Sequence, residues 1–294
     1  MPKALKSATE KFSRSHQPAA KSDSNSGGTS NPLFNTDRFG QHILKNPLVA
    51  QAIVDKASLR ATDKVFEIGP GTGNLTARIL EKAKSCQVIE MDPRMAAELS
   101  KRFQGKPEQR RLEIVIGDFV KADLPFFDVV VAILMFQREF ALRLCARPGT
   151  EMWCRLSANA QLYSKIDHIM KVSKGNFRPP PQVESSVVRI VPLDPPPPVK
   201  FEEFDGLTRV LFTRRNKTCR SNFTAAGVYD MLESNRKAWL TEKNEMIDDS
   251  ENIKSRVERI LVQTGFAESR AAKMDVDDFL KLLSAFHDEN IHFG

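Results

Sequence analysis

Two carboxylates, Glu67 and Glu90, bracket three alternating glycines, Gly69, Gly71 and Gly73, and a third acid, Asp118, follows Gly117. The run Lys64-Val65-Phe66-Glu67-Ile68 is short and apolar enough for a buried strand, and the glycines after it suit a tight strand-to-helix turn. Such a turn brings backbone N–H groups close to a ligand with no Cβ in the way. Glu67 sits just before the turn and can accept hydrogen bonds from a cationic or amine-bearing group. Glu90 ends the run Gln87-Val88-Ile89-Glu90, where one carboxylate can take both hydroxyls of a ribose. Asp118 ends a third run, Ile114-Val115-Ile116-Gly117-Asp118, and can accept from an adenine amino group.

The order of these groups describes an adenosine site without a diphosphate cradle. A dinucleotide fingerprint spaces its glycines G-x-G-x-x-G, which would put the third glycine at position 74. Asn74 stands there, and the spacing is G-x-G-x-G with Pro70 stiffening the turn. An NAD-dependent oxidoreductase is therefore the weaker reading, and S-adenosylmethionine is the expected cofactor.

The elements that must hold these residues alternate. Strands are expected at 64–68, 86–90, 112–116 and 128–132, with helical stretches between them. This is the pattern of a doubly wound α/β sheet. Pro47 and the stripe Val49, Ile53, Val54 and Ala57 predict a helix over 47–58. Residues 151–174 read as helix or strand without a decision between them. Val183–Val191 alternates as a late strand, expected at the antiparallel edge of the sheet. Pro192 and Pro195–Pro198 form a stiff linker, and 201–294 is mostly helical, with Gly265 as a helix stop and a last helix around Phe279–Phe286. The expected organisation is a disordered basic tail over 1–32, a cofactor-binding domain over 33–192, a Pro-rich linker over 193–200 and a helical RNA-binding domain over 201–294.

A net charge of +7 suits a polyanionic partner. Arg214, Arg215, Lys217 and Arg220, beside Phe212 and Phe223, are the expected RNA contacts, and Arg138, Arg143 and Arg147 form a second basic group. Cys86, Cys145, Cys154 and Cys219 show no C-x-x-C spacing, so a reduced compartment is expected. The five histidines form no cluster along the sequence, so no metal site is expected. No apolar stretch reaches membrane-spanning length. The first 32 residues are poor in large apolar side chains and carry Lys3, Lys6, Lys11, Arg14 and Lys21.

Further segments extend the pattern. They are Phe39-Gly40-Gln41-His42-Ile43-Leu44-Lys45-Asn46-Pro47, Glu90-Met91-Asp92-Pro93, Met135-Phe136-Gln137-Arg138-Glu139-Phe140-Ala141, Asn176-Phe177-Arg178-Pro179-Pro180-Pro181-Gln182-Val183-Glu184-Ser185-Ser186, and Met274–Phe279 with Ile291-His292-Phe293. Together with the glycine turn they resemble the rRNA adenine N6,N6-dimethyltransferases, relatives of the bacterial KsgA and Erm methylases, and most closely the eukaryotic small-subunit type. The resemblance runs from about residue 33 to residue 294. It implies a Rossmann-like class I methyltransferase domain with a small helical domain. The implied reaction is S-adenosylmethionine-dependent dimethylation of two adjacent adenosines near the 3′ end of small-subunit rRNA. It implies a monomer acting on the pre-ribosome in the nucleolus, with the mitochondrion as the alternative compartment. His42 and Leu44 would lie over the cofactor, Gly69 would touch its methionine part, Glu90 would hold the ribose and Asp118 the adenine amine, with Gly71, Gly73 and Met91 as further cofactor-binding residues. Phe177 would stack on the flipped target base, which is worth roughly 1–3 kcal/mol.

One family element is missing. An Asn-Leu-Pro-Tyr-type tetrad should follow the fourth strand, Phe127–Ala132, but the chain runs straight into Ile133-Leu134-Met135-Phe136-Gln137, which resembles the fifth. About two dozen residues are absent, and two parallel neighbours cannot be joined without a crossover of about that size. The tetrad's asparagine and a proline-flanked carbonyl accept hydrogen bonds from the adenine amine, whose lone pair is otherwise delocalised, and hold it in line with the methyl group. The chain as written is therefore expected not to methylate rRNA. A non-catalytic pre-rRNA binding factor is the alternative function.

Overall fold

The computed structural model describes residues 42–119, 130–246 and 250–294, with side chains in the first part of the 130–137 strand described from Leu134 onward. The expected tail over 1–32, the motif residues Phe39–Gln41 and the strand start at 127–129 lie outside the described residues.

The described chain opens with β1 (Ile43–Leu44) and α1 (Pro47–Ala57). Asn46 caps α1 by accepting from the Leu48 N–H, Pro47 takes the first turn where its missing N–H costs nothing, and Ala50, Ile53, Val54 and Ala57 are buried. Then β2 (Lys64–Ile68), α2 (Asn74–Lys82), β3 (Ser85–Glu90), α3 (Pro93–Phe103) and β4 (Leu112–Ile116) alternate as expected. β2 pairs with β3, and β3 with β4, all parallel.

β5 (Val130–Gln137) is one strand of eight residues. Val130–Ala132 pair in parallel with Lys64–Phe66 of β2, while Ala132–Gln137 pair antiparallel with β8 (Ser185–Pro192). No turn or helix interrupts it. α4 (Arg138–Leu144), α5 (Arg155–Leu162), β6 (Ser164–Val172) and β7 (Phe177–Arg178) follow before β8. The six-stranded sheet has the order β4-β3-β2-β5-β8-β6, and β1 pairs with β7 as a separate two-stranded strap.

Two expectations are settled here. Residues 151–174 divide into a helix, α5, and then a strand, β6. The strand around 183–191 is not the sheet edge: β8 lies between β5 and β6, and β6 is the edge. Its burial shows why, since Ser186, Val187 and Val188 are consecutive and all buried, so both faces of β8 are covered. β6 carries Lys165, Asp167 and Lys171 and a register shift at His168/Met170, features that blunt an exposed edge.

Beyond the Pro-rich stretch come α6 (Phe201–Phe212), α7 (Cys219–Phe223), α8 (Val228–Glu242), α9 (Ile253–Gln263) and α10 (Val276–His287). They enclose a core of Phe204, Leu207, Leu211, Phe223, Val257, Leu261, Phe279 and Phe286. Trp153, Ala158 and Leu162, from in and just before α5, belong to that core, and the Trp153 indole N–H donates to the Ala271 carbonyl at 3.1 Å. α9 ends at Gln263, and Gly265 at φ +77° turns the chain away. No described helix is long and apolar enough to cross a membrane.

Candidate functional site

From β2 the chain steps outward to β3 and β4, then returns to the other side of β2 as β5. The strand order reverses there, and ligands of doubly wound sheets bind in the crevice at that point. β5 stays beside β2 only through Phe66, so Glu67 and Ile68 extend past it with that flank unpaired by β5. A cavity of about 930 Å³ opens there, at the upper end of the size range of small-molecule sites.

The glycine turn forms its floor. Gly69 and Gly71 have φ of +67° and +56°, a region costly for any residue with a Cβ. A Cβ on Gly69 would meet nothing within 4 Å, so the space above it belongs to the cavity. Gly73 answers a different need. A Cβ there would lie 2.3 Å from Leu99 Cδ1, so Gly73 lets α3 pack against the start of α2.

The wall carries two buried carboxylates. Glu90 is 7% exposed; its Oε2 accepts from the Gly71 N–H at 3.2 Å and its Oε1 from the Asp92 N–H at 3.0 Å. Glu67 is 4% exposed and accepts from the Thr76 hydroxyl at 2.7 Å. Burial pushes the Glu67 carboxyl from an ordinary 4.5 up to about 7, against the opposing pull of the Thr76 hydrogen bond and with a small push from Glu90. A cationic ligand would relieve both carboxylates.

The roof is the β1–β7 strap. Leu44 pairs with Phe177, the Lys45 N–H donates to the Asn176 carbonyl at 2.8 Å, Asn46 donates to the Asn176 side chain at 2.9 Å, and His42 Nδ1 meets the Pro179 carbonyl at 2.9 Å. Asn74 ties roof to floor, its Nδ2 donating to the Leu44 carbonyl at 2.6 Å. Arg102, from α3, donates to the Thr72 carbonyl at 2.6 Å and to Asn74 Oδ1 at 2.7 Å. Sequence reasoning passed over Arg102, because a guanidinium bonded to a backbone carbonyl and a side-chain amide oxygen 28 to 30 residues away leaves no motif. Asn74 entered the sequence argument only as a glycine that was not there.

Of the expected cofactor residues, His42, Leu44, Gly69, Gly71 and Glu90 line the cavity. Gly73, Met91 and Asp118 do not. Met91 is 47% exposed beyond the tip of β3. The Gly117 N–H donates to the Glu90 carbonyl at 3.0 Å, which sets Asp118 at the neighbouring strand tip just outside the cavity. Phe177 lines the cavity but is only 4% exposed, and it packs into the apolar cluster beneath the strap. On the β5 side the wall is Met135, Phe136 and Gln137. Phe136 packs edge-on against Phe140 at 4.9 Å.

Two features away from the cavity add to what the sequence shows. The basic run 214–220 is not a free cationic patch. Arg214 donates to the Ser221 carbonyl, Arg215 to the carbonyls of Glu151 and Trp153, and Arg220 is held by Glu258 and Glu268. Lys217 is exposed and pairs with no described residue. The histidines do form a cluster: His287 and His292 converge on Glu203, from positions 84 and 89 residues away in sequence.

The family model described as ribosomal RNA adenine dimethylase matches residues 34–130 and 125–261. The two matches meet where β5 begins. The dimethyladenosine transferase of Saccharomyces cerevisiae is 52% identical over 290 residues, covering 89% of this chain and 91% of its own. The "Probable dimethyladenosine transferase" of Drosophila melanogaster is 49% identical over 318 positions, the whole of both chains. Since this chain has 294 residues, 318 less 294, or at least 24 positions of that relative, face no residue here. Among solved structures, a dimethyladenosine transferase from Plasmodium falciparum superposes with a TM-score of 0.78 at 34% identity, covering 86% of this chain and all of that one. The 23S rRNA methyltransferase ErmE shares the fold, with a TM-score of 0.55 at 21% identity over 83% of this chain.

Proposed function

The chain belongs to the ribosomal RNA adenine dimethylase family, and on that premise we propose that its cavity holds S-adenosylmethionine for N6,N6-dimethylation of adenosines in small-subunit rRNA. The observation that carries the reading is the pairing of Glu67 and Glu90 in one buried cavity above a glycine turn. Glu90 would take the ribose hydroxyls, exchanging its bond to the Gly71 N–H for them. Glu67 would face the cationic methionine end. Leu44, Phe177 and the Pro179–Val183 segment would exclude water, which strengthens both electrostatic contacts. Asp118 would reach the adenine amine from the β4 tip. The cofactor supplies an electrophilic methyl group.

The acceptor half is a separate matter. Holding an adenine amine in line requires hydrogen-bond acceptors beside the methyl group. In this chain the place for them, between Ala132 and Ile133, is uninterrupted strand. We therefore read the chain as binding its cofactor and rRNA without completing methyl transfer, a pre-ribosome binding factor of the nucleolus. Lys217 is the residue of the basic run left for a phosphate. Calorimetry with S-adenosylmethionine, followed by transfer of a labelled methyl group to small-subunit rRNA, tests both halves. The expected result is cofactor binding without transfer, and transfer once a relative's missing segment is inserted after Ala132. Failure to bind would overturn the cofactor assignment, and methylation by the 294-residue chain would overturn the acceptor argument.

A further inference from the structure

The far end of the helical domain carries a constellation that the methyltransferase reading does not use. We infer that Glu203, His287 and His292 form a binding site for one divalent transition-metal ion of the zinc class. Three elements bring them together. Glu203 lies in the first turn of α6, His287 is the last residue of α10, and His292 follows the turn that brings the chain back over that helix end. His287 Nε2 is 3.1 Å from Glu203 Oε2, His292 Nδ1 is 3.4 Å from Glu203 Oε1, and one donor atom from each residue falls within 4.8 Å of the others. Bonds of about 2.0–2.1 Å in tetrahedral geometry place ligand atoms a little over 3 Å apart. Each imidazole nitrogen already lies at about that distance from one of the two Glu203 oxygens, His287 from Oε2 and His292 from Oε1, and a small inward shift of the three side chains closes the set around one ion.

The donors are held in place from behind. The His292 ring stacks on His287 at 4.6 Å and lies tilted against Trp239 at 3.9 Å, and its backbone carbonyl accepts from Asn235 at 3.1 Å. The carboxylate of Glu203 is oriented by the N–H groups of Phe293 at 2.9 Å and Gly294 at 3.3 Å. Supporting bonds of this kind fix ligand orientation in metal sites. Side-chain exposures of 31% at His287, 13% at Glu203 and 11% at His292 leave one open side, enough for an ion to enter and for water to complete the coordination. Two imidazoles and one carboxylate favour zinc, cobalt or nickel over magnesium or calcium, which require oxygen ligands. Bound metal would clip the segment Ile291–Gly294 to α6.

The test uses the full chain freed of metal with a chelator. Titration with zinc chloride by calorimetry should show one equivalent bound, cobalt(II) should give the intense visible bands of a tetrahedral site, and zinc should raise the melting temperature. His287→Ala removes the most exposed ligand and should weaken zinc binding by at least about tenfold, while affinity for S-adenosylmethionine stays at the wild-type value. Glu203→Gln, which keeps one acceptor oxygen for the Phe293 N–H and gives up the one that the Gly294 N–H uses, should abolish the cobalt bands. Absence of a stoichiometric site in the wild type, or zinc binding unchanged in either variant, would overturn the assignment.

Discussion

Replacing Glu67 by glutamine removes a carboxyl that the fold holds away from water while leaving an acceptor for the Thr76 hydroxyl. In the folded chain this carboxyl titrates near 7, against an ordinary 4.5, chiefly because burial disfavours its charged form. The folded state therefore binds the proton more tightly than the unfolded state does. The contribution of this group to stability is greatest below pH 4.5 and falls as pH rises toward 7, where the ionised group sits desolvated in the cavity wall with the Thr76 hydroxyl bonded to it. Each tenfold difference in proton affinity is worth about 1.4 kcal/mol, so the full penalty at pH 8 is about 3 kcal/mol. Between pH 5 and pH 8 the stability of Glu67→Gln relative to wild type should rise by roughly 2–3 kcal/mol. Urea unfolding of both proteins at the two pH values measures it directly. The same linkage makes cofactor affinity rise with pH in the wild type, because a sulfonium and an ammonium favour the ionised carboxylate, and leaves it flat in the variant. Parallel stability curves would refute the buried-charge argument, whatever the cofactor proves to be.

Glu90→Ala should weaken S-adenosylmethionine binding by about 1.5–3 kcal/mol, the worth of hydrogen bonds to a charged acceptor, with calorimetry as the measurement. An unchanged dissociation constant would remove Glu90 from the ribose. Arg102→Leu should release both the Thr72 carbonyl and Asn74, costing about 1.5–3 kcal/mol in urea unfolding and loosening the tie between floor and roof. Arg102→Lys should restore only part of this, since one nitrogen, Nη1, makes both bonds and the shorter lysine side chain must bring its ammonium to the same place.

The parallel strands were legible because β2 and β3 are buried on both faces and each carries an apolar pair, Val65-Phe66 and Val88-Ile89, followed at once by an acid. The eight-residue run through β5 was legible from its continuity, which left no room for a turn between two parallel neighbours. β6 was not legible. An edge strand covered on one side by solvent carries the charges Lys165, Asp167 and Lys171, which helices share. The place of β8 within the sheet depends on which strands pair with it, and alternation alone does not contain that. The clue was the adjacent pair Val187 and Val188, which needs cover on both faces. The partners of the basic run were not legible because sequence shows charge and not pairing: Glu258 and Glu268, which pair with Arg220, are remote in the chain. The Glu203–His287–His292 cluster escaped for the same reason, being assembled from two ends of the helical domain.

The β5 strand has a practical consequence for anyone lengthening this chain. Ala132 alone faces a partner on each flank, Phe66 on one and Ile190 on the other. Residues before it are stitched to β2 and residues after it to β8. A cut just past Ala132 thus falls on a natural seam: each piece keeps the neighbour it already has, and an inserted stretch can bulge outward without unzipping either side. The same seam explains how a sheet can survive the loss of a crossover, since both remnants stay anchored by their own hydrogen bonds.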